Sequence, residues 1–449
     1  MPSSSLRSRL QRLRLQKFKK QVPPSVPAQV LAERVEQKRA GQREAEAHSQ
    51  LPGQEIVTAL GPYQLIENRY ALDFVHGPLP LANLLTRDPA TAALLARDDA
   101  LAQTNLQSLA FLDTETTGLA GGAGTLAFLV GVGVFENDAY VTRQYFLREP
   151  GQEEAMLTAL LADLAPRSGW VTFNGKAFDL PLLDTRLVMN RMRVKLAQRP
   201  HLDLLMPARR LYRGRLESCS LGHLEQHVFH FIREQDDVPG ALIPGLYLDY
   251  LRTGDARDMR RVIYHNAMDI LSMVTLAAHL LDVFATPVTQ SAVISPQSQA
   301  GHQPDSARLG TVDLGPADFL RLAKWHHDNG RPAEAEAAYT QALAGHLALA
   351  DRREGLTRLA ALLKAQGRRA EAAPLWEQLA AFTVNDPVPF VELAKHYEWH
   401  VLDYTRAIEW TQRAQKVVAA WPRGWRRDEA AQALKHRLER LKFKQRSTT

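Results

Sequence analysis

The sequence predicts an α/β domain, built on a mixed β-sheet with flanking helices, followed by an all-α helical-repeat domain. Three observations support this fold class. The chain has 449 residues, which exceeds the ~250–300 residues at which a single hydrophobic core stops growing. Its centre holds short apolar runs of strand type that later alternate with helical patterns, as in sheets covered by helices. Its last third repeats a pattern of small and aromatic residues, which is typical of stacked helix pairs.

The composition is that of an ordinary globular protein. Hydrophobic residues make up 45% and charged residues 23% of the chain, close to the averages for such proteins. The single cysteine, Cys219, excludes a disulfide within the chain and fits a reducing compartment. No apolar run approaches ~18 residues and none follows the basic N-terminus, so we expect no membrane-spanning helix and no secretory signal. These features favour a cytoplasmic protein.

Positive charge is concentrated at the N-terminus. The first 20 residues contain seven Arg or Lys and no acid, so the rest of the chain carries −1 of the net charge of +6. We interpret residues 1–50 as a basic arm, interrupted by prolines and continued by a possible surface helix at 28–47. Such an arm neutralises nucleic-acid phosphates without reading the base sequence. A solvated tail and an amphipathic helix on an anionic surface are the alternatives.

Residues 51–284 form the predicted α/β domain, with its core at 105–284. Short apolar–polar alternations between residues 53 and 76 suggest strands, and a helix and connector follow. In the core, apolar runs indicate strands and apolar periodicity indicates helices. In chain order we predict strands at 109–113, 125–135 and 139–146, a helix at 153–164, a strand at 170–173, a helix from Asp179 and a last helix at 259–284.

An internal repeat follows a predicted linker at 285–315, which is rich in Pro, Ser and Gln. Within residues 316–440, Leu-Ala is followed by Gly-Arg, a later Ala and an aromatic residue. The first two copies lie 37 residues apart and a third follows after about 34, which resembles the ~34-residue tetratricopeptide repeat. Such repeats form partner-binding surfaces, so we expect a protein partner there and a basic tail at 441–449.

The most informative motif is a pair of carboxylates, Asp113 and Glu115, at the end of an apolar strand. Residues two apart on a strand point to the same face of the sheet. Two carboxylates that point together repel each other unless cations lie between them, and Mg²⁺ prefers such oxygen ligands. Gly118 allows the chain to turn and a substrate to approach the backbone. An acidic pair in a polar surface turn is the structural alternative.

A third carboxylate, Asp179, opens the helix that follows the next predicted strand. That strand ends at Asn174, and a short turn leads to Asp179. An aspartate at a helix start is often only a cap for the backbone N–H groups. Its significance therefore depends on whether the fold places it beside Asp113 and Glu115.

The last helix of the α/β domain carries an imidazole and a carboxylate, His265 and Asp269. They are four residues apart and so share a helix face, whereas Tyr264 points elsewhere. An imidazole beside a carboxylate suits metal binding and general-base catalysis. A surface ion pair is the structural alternative.

Taken together, the carboxylates resemble the catalytic set of the DEDD 3′–5′ exonuclease superfamily, which includes the RNase D, RNase T and DnaQ proofreading types. The four positions are Asp113, Glu115, Asp179 and Asp269. The run at 111–122 is most similar to the bacterial YprB ribonuclease H-like family, and the similarity continues through the segments at 174–183, 201–205, 236–240 and 265–271. The resemblance implies a ribonuclease H-like fold over about residues 105–285, and some members also carry a helical-repeat tail.

The resemblance implies a nuclease with two Mg²⁺ or Mn²⁺ ions ~3.5–4 Å apart at the terminal phosphodiester of a DNA or RNA 3′ end. All four carboxylates would be metal ligands, with Asp113 between the two ions. Stepwise hydrolysis would release nucleoside monophosphates. Residues beside the carboxylates are the candidates for substrate binding, namely Thr116, Gly118, Asn174 and Phe178.

His265 is the expected general base, which would orient or deprotonate the attacking water. Here the chain departs from the superfamily, whose members carry Y-x₃-D or H-x₄-D before the last aspartate. This chain has H-x₃-D and Y-x₄-D, ending in both cases at Asp269. Helical register favours His265, and Tyr264 is the alternative base.

A second class of function fits part of the sequence. The chain could be a weakly active or inactive nucleic-acid-binding scaffold that recruits a protein partner through its helical repeats. The unusual spacing before Asp269 favours this alternative, whereas the complete set of four carboxylates favours the enzyme. Metal binding distinguishes them, because a scaffold does not need to hold two ions.

Overall fold

The computed structural model describes residues 50–118, 124–233, 237–285 and 314–448. The basic arm, with its possible helix at 28–47, and most of the predicted linker lie outside these residues. The strands, numbered in chain order, are β1 (Gln54–Thr58), β2 (Gly61–Ala71), β3 (Val75–His76), β4 (Leu79–Pro80), β5 (Leu109–Thr116), β6 (Ala127–Glu136), β7 (Ala139–Phe146), β8 (Gly169–Thr172) and β9 (His201–Asp203).

Seven of these strands form one mixed sheet in the order β1-β2-β7-β6-β5-β8-β9. The pairs from β1 to β5 are antiparallel, whereas β5 pairs with β8, and β8 with β9, in parallel. Strand β5 lies inside the sheet, where its antiparallel part meets its parallel part, and its first four residues are buried. The predicted mixed sheet with flanking helices is confirmed.

Helices cover the sheet and then continue alone to the C-terminus. They are α1 (Pro89–Ala96), α2 (Glu153–Leu164), α3 (Asp179–Met189), α4 (Leu205–Tyr212), α5 (Leu221–His227), α6 (Ile243–Thr253), α7 (Arg257–Ala285), α8 (Pro316–Asp328), α9 (Pro332–Ala344), α10 (Leu349–Ala365), α11 (Arg369–Phe382), α12 (Val388–His396), α13 (Tyr404–Ala419) and α14 (Trp425–Thr448).

The longest helix, α7, lies across strands β5, β6 and β7 and supplies much of the core. We expected no helix apolar enough to span a membrane, but α7 passes that test by length and composition, with a mean hydropathy of 1.6 in its most apolar window. Of that window, 78% is buried inside the fold. Its apolar residues therefore serve as core against the sheet.

Residues 314–448 contain seven consecutive α-helices, α8 to α14, each packed on its neighbours, with a short π-helix at Tyr397–Val401 between α12 and α13. Gly330 and Gly367 occupy left-handed backbone conformations, with φ of +67° and +79°, in the turns after α8 and α10. The all-helical architecture is confirmed, whereas its assignment to tetratricopeptide repeats stays a prediction. The segment 441–448, which we expected to be a tail, continues α14 and buries Leu441.

The helical region packs directly against the α/β part. The ring of Phe284, at the end of α7, lies 4.8 Å from Trp325 and 4.5 Å from His326, measured between ring centroids. The side chain of Asp318 is fully buried and forms an ion pair with Arg215, with 3.1 Å between Arg215 Nη1 and Asp318 Oδ2. The apolar cores of the two parts are therefore continuous across this contact.

Candidate functional site

Strand β5 and helices α3 and α7 bring the predicted site residues together. The face of β5 that buries Leu109 and Phe111 continues into Asp113 and Glu115. From α7, His265 Nε2 lies 3.9 Å from Glu115 Oε1 and 3.5 Å from Asp269 Oδ2. All four carboxylates and His265 thus meet at one end of the sheet, with Asp179 joining from α3.

A network of buried amides holds Asp113 in place. The Nδ2 of Asn266 donates to Asp113 Oδ2 at 2.7 Å and also lies 3.3 Å from the Asp113 carbonyl oxygen. The Nε2 of Gln144 donates to Asn266 Oδ1 at 2.8 Å. Gly131 pairs with both Asp113 and Gln144 in the sheet, and a Cβ there would collide with the amide of Asn266. The helix therefore approaches the sheet closely at the site.

Asp179 is the first residue of α3, after the N-cap Phe178, so its side chain does not cap the helix. Its Oδ1 instead accepts a hydrogen bond from the hydroxyl of Thr114 on β5. Its side chain is buried. The structural alternative considered for this residue, a cap, is therefore wrong, and Asp179 is turned towards the strand that carries Asp113.

Asp203 anchors the turn that leads to Asp179. Its Oδ1 accepts from the backbone N–H of Asn174 at 2.8 Å and of Leu205 at 3.0 Å, and its Oδ2 from that of Lys176 at 3.0 Å. Asn174 sits in the left-handed region, with φ of +72°, a conformation that asparagine tolerates better than most residues. Asp203 thus fixes the backbone of the turn before Asp179 without being one of the four carboxylates.

The electrostatics of the site are those of crowded acids in a dry environment. Burial raises the pKa of Asp113 well above its usual range, and repulsion from Asp269 and Asp179 raises it further. Burial and the charge of Asp113 likewise raise the pKa of Glu115 well above normal. Burial raises the pKa of Asp179 to about 6, despite the hydrogen bond from Thr114. Added cations would relieve this repulsion.

The carboxylate of Asp237 binds His265 on the side of the imidazole ring that faces away from Glu115 and Asp269. Its Nδ1 lies 2.5 Å from Asp237 Oδ1, which leaves Nε2 facing Glu115 and Asp269. Although burial opposes the charge, the carboxylates of Asp269, Asp237 and Glu115 raise the pKa of His265 to about 9. The imidazole is thus oriented at one nitrogen and available at the other.

A buried arginine, Arg233, enters the site from the segment after α5. It hydrogen bonds to Glu225 at 2.8 and 2.7 Å, to Asp237 at 3.1 Å and to Asp269. Its Nη1 lies 3.3 Å from His265 Nδ1, and its side chain is only 6% exposed. The sequence pattern around Arg233 and Asp237 indicated only a polar turn, because the site residues that they contact, His265 and Asp269, are 28 to 36 residues away.

The remaining site candidates occupy different positions around the carboxylates. Phe178, beside Asp179, is 58% exposed, which is unusual for an aromatic side chain. The hydroxyl of Thr116 donates to the carbonyl of Gly118 at 3.0 Å. Beyond Gly118, residues 119–123 lie outside the described part. Tyr264 lies near Tyr70 of β2, whereas His265 Nε2 faces Glu115 and Asp269.

The carboxylates of the site have the chemistry that a hard divalent cation requires, but they are not spaced as metal ligands in this structure. Carboxylate oxygens are the ligands that Mg²⁺ and Mn²⁺ prefer in proteins, and the site gathers four carboxylates. Among the described residues, no three His, Cys, Asp or Glu side chains stand at metal-ligand spacing. Three of the carboxylates instead accept hydrogen bonds, Asp113 from Asn266, Asp179 from Thr114 and Asp269 from Arg233.

Comparison with known proteins agrees with this fold. Residues 110–281 match the RNase_H superfamily, which defines the class as ribonuclease H-like and supports a nuclease that binds nucleic acid. Over 344 residues the chain is 31% identical to "Uncharacterized protein YprB" of Bacillus subtilis (strain 168), covering 76% of each chain. The chain therefore belongs to the YprB family within the ribonuclease H-like superfamily.

Proposed function

We propose that this protein is a DEDD-type 3′–5′ exonuclease that uses two divalent metal ions. The observation that carries the proposal is the meeting of Asp113, Glu115, Asp179 and Asp269, which come from three separate elements, beside His265. Buried carboxylates gathered without a function would only destabilise the fold. Membership in a ribonuclease H-like family supports the same conclusion.

The four carboxylates would hold Mg²⁺ or Mn²⁺, with Asp113 central because it interacts with both Asp179 and Asp269. When bound, the ions supply an activated water and charge stabilisation at the leaving 3′ oxygen. The chain's own contribution is rigidity: Asn266 and Gln144 fix Asp113, and Asp203 fixes the turn before Asp179. Fixed ligands need little reorganisation as charge develops.

His265 is the proposed general base. Asp237 engages its Nδ1, so its Nε2 is the atom positioned to orient an attacking water or take its proton. The surrounding carboxylates favour the imidazolium form when no other cation is present. Ions bound by those carboxylates would counter that effect and leave Nε2 free to accept a proton.

The surface around the carboxylates offers contacts for a strand end. Phe178 presents an exposed ring next to Asp179, and a base stacked on an aromatic side chain is worth about 1–3 kcal/mol. Thr116 and Gly118 at the end of β5, and Asn174 in the turn before α3, would contact the sugar and phosphate groups. Stacking of this kind accepts DNA and RNA alike.

The remaining parts of the chain are proposed to retain substrate and partner. The basic arm and the basic end of α14 would attract phosphates, and this attraction weakens with salt. The helical region, α8 to α14, would bind a protein partner.

The decisive experiment is a gel of 5′-labelled single-stranded DNA and RNA with Mg²⁺ or Mn²⁺. Wild type should give a ladder shortened from the 3′ end, and Asp113→Ala should lower the rate at least about 100-fold, because it removes a ligand that positions charge stabilisation worth several kcal/mol. Asp249→Ala, an exposed aspartate on α6, is the matched control and should leave the ladder intact.

A second measurement separates the enzyme from the scaffold. If wild type cleaves neither strand and Asp113→Ala does not change its Mn²⁺ affinity, the exonuclease proposal fails. The remaining function would then be a nucleic-acid-binding scaffold. That outcome would fit the engagement of Asp269 by Arg233, which already supplies one positive charge to the site.

A further inference from the structure

Arg233 is a permanent positive charge inside a site that consists mainly of carboxylates. Its side chain is 6% exposed, and that of its main partner, Glu225, is 3% exposed. Although burial opposes its charge, Glu225 and Asp269 raise the pKa of Arg233. A buried guanidinium in this position is permanently charged, so it is part of the electrostatic design of the site.

The donor to Asp269 differs in kind from the donors to Asp113 and Asp179. Asp113 and Asp179 accept hydrogen bonds from neutral groups, the amide of Asn266 and the hydroxyl of Thr114. Those donors carry no charge, so they do not compete electrostatically with a cation for the carboxylates. Asp269 alone of the four accepts a charged donor, Arg233, which occupies Oδ1 and neutralises the carboxylate.

We propose that Arg233 is an internal cation that competes with one divalent ion for Asp269, so that the two ions load unequally. This inference rests on the proposed function, because it assumes that the carboxylates bind divalent ions. An ion held mainly by Asp113 and Asp179 displaces only neutral donors. An ion held by Asp269 has to displace the guanidinium, and it therefore binds more weakly.

The structure provides a route for this displacement. Two hydrogen bonds of 2.8 and 2.7 Å tie Arg233 to Glu225 on α5, and a third of 3.1 Å ties it to Asp237. Neither partner is among the proposed metal ligands. When Arg233 leaves Asp269, the guanidinium keeps these partners and is not left as an unpaired buried charge. The exchange therefore requires only a small movement of the guanidinium, which stays bound to Glu225 and Asp237.

The test is Mn²⁺ titration calorimetry on the full-length protein without substrate. Replacing Arg233 alone would strand the buried Glu225, so the main variant is the double replacement Arg233→Gln with Glu225→Gln. We expect two binding events in wild type and a weaker event strengthened about tenfold or more in the variant, because a charge-assisted hydrogen bond no longer competes. Arg233→Lys, which keeps the charge, should give an intermediate affinity.

A double-mutant cycle with Asp269→Asn isolates the proposed coupling. Removing the charge of Arg233 strengthens cation binding in general, so the same replacements are repeated in the Asp269→Asn background. There we expect one remaining event, changed less than about twofold, because the competed carboxylate is gone. An equal strengthening in both backgrounds would show only a general charge effect and would overturn the proposal.

Two controls keep the outcomes separable. Arg143→Gln removes an arginine that also contacts three carboxylates, Glu67, Glu136 and Asp163, but outside the site, and should leave both Mn²⁺ events unchanged. Thermal unfolding followed by circular dichroism shows whether each variant is folded. Wild type that binds no Mn²⁺ would overturn the proposed function and this inference together. Two equal events that are insensitive to Arg233 would overturn this inference alone.

Discussion

At the residue scale, the site depends on the close approach of one helix side chain to the sheet. Asn266 is fully buried and reaches Asp113 only because Gly131 opposite it has no side chain. Gln144, on the next strand, completes the chain of amides. A buried polar network of this kind specifies a geometry that apolar packing alone would not. The position of Asp113 is therefore set by three uncharged residues.

This geometry predicts the effect of Gly131→Ala. The added methyl would collide with the amide of Asn266, so the helix or the side chain has to shift. We expect a loss of about 1–3 kcal/mol in the free energy of unfolding, as for other overpacked cores, and a weaker Mn²⁺ affinity. Urea unfolding and calorimetry measure the two effects.

The matched control for Gly131→Ala is Gly151→Ala, because a Cβ at Gly151 meets no atom within 4 Å. It should change the free energy of unfolding by less than about 0.5 kcal/mol. Unchanged stability and unchanged Mn²⁺ affinity in Gly131→Ala would contradict the account of Asn266 as the group that fixes Asp113.

At the element scale, the sequence predicted most of the α/β core. The helix at Glu153–Leu164 and the strand at Ala139–Phe146 have the predicted bounds. Strand β5 runs to Thr116, beyond the predicted end, because β6 is long enough to pair with it through Ala127. Periodicity detects an apolar run but not the partner strand that extends it.

Site residues were predictable where local spacing carries the signal. Asp113 with Glu115, and His265 with Asp269, share a face by strand and helix geometry alone. Arg233, Asp237 and Gln144 were not predictable, because each acts through a partner that only the fold brings near. Gln144, for example, meets Asn266 at a separation of 122 residues.

The turn before α3 supports a prediction for Asp203→Ala. Three backbone N–H groups would lose their acceptor, so we expect a loss of about 1–3 kcal/mol in stability. Because the same turn positions Asp179, Mn²⁺ affinity and the cleavage rate should fall as well. Urea unfolding, calorimetry and the cleavage gel measure these changes.

Asp184→Ala is the control for Asp203→Ala. Asp184 also accepts hydrogen bonds from two backbone N–H groups, but these belong to Leu196 and Ala197, in the segment that follows α3. It should destabilise the protein without weakening Mn²⁺ binding. If both variants weaken Mn²⁺ binding equally, Asp203 acts on overall stability and does not position Asp179.

At the scale of the whole molecule, the contact between the α/β part and the helical region includes a buried, unpaired imidazole. His326 is 1% exposed, and neither of its ring nitrogens has a hydrogen-bond partner among the described residues. Its ring stacks on Phe284 at the end of α7. Burial lowers the pKa of His326 to about 4. His326 is therefore neutral at this contact at neutral pH.

His326 predicts a pH dependence of stability. The unfolded chain takes up the proton as the pH falls through about 6.5, whereas the folded chain does so only near 4. Stability is therefore lost as the pH falls from about 6.5 towards 4. We expect His326→Leu to reduce the loss of unfolding free energy between pH 7.5 and 5 by up to about 2 kcal/mol. Urea unfolding at both pH values measures it.

The neighbouring His327 provides the control, because it is exposed on the same helix. His327→Gln should leave the difference between the two pH values unchanged. The prediction for His326 is contradicted if His326→Leu shows the same acid sensitivity as wild type.

The contact around Phe284 also bears on how the chain can be divided. A proline-rich linker usually marks a place where a protein separates into independent modules. Here a cut within residues 286–313 would uncover Phe284 on one fragment and Trp325 on the other, and would part Arg215 from the buried Asp318. The two halves are joined by a shared core as well as by the chain. The two parts therefore form one structural unit, although the sequence pattern alone divides the chain into two domains.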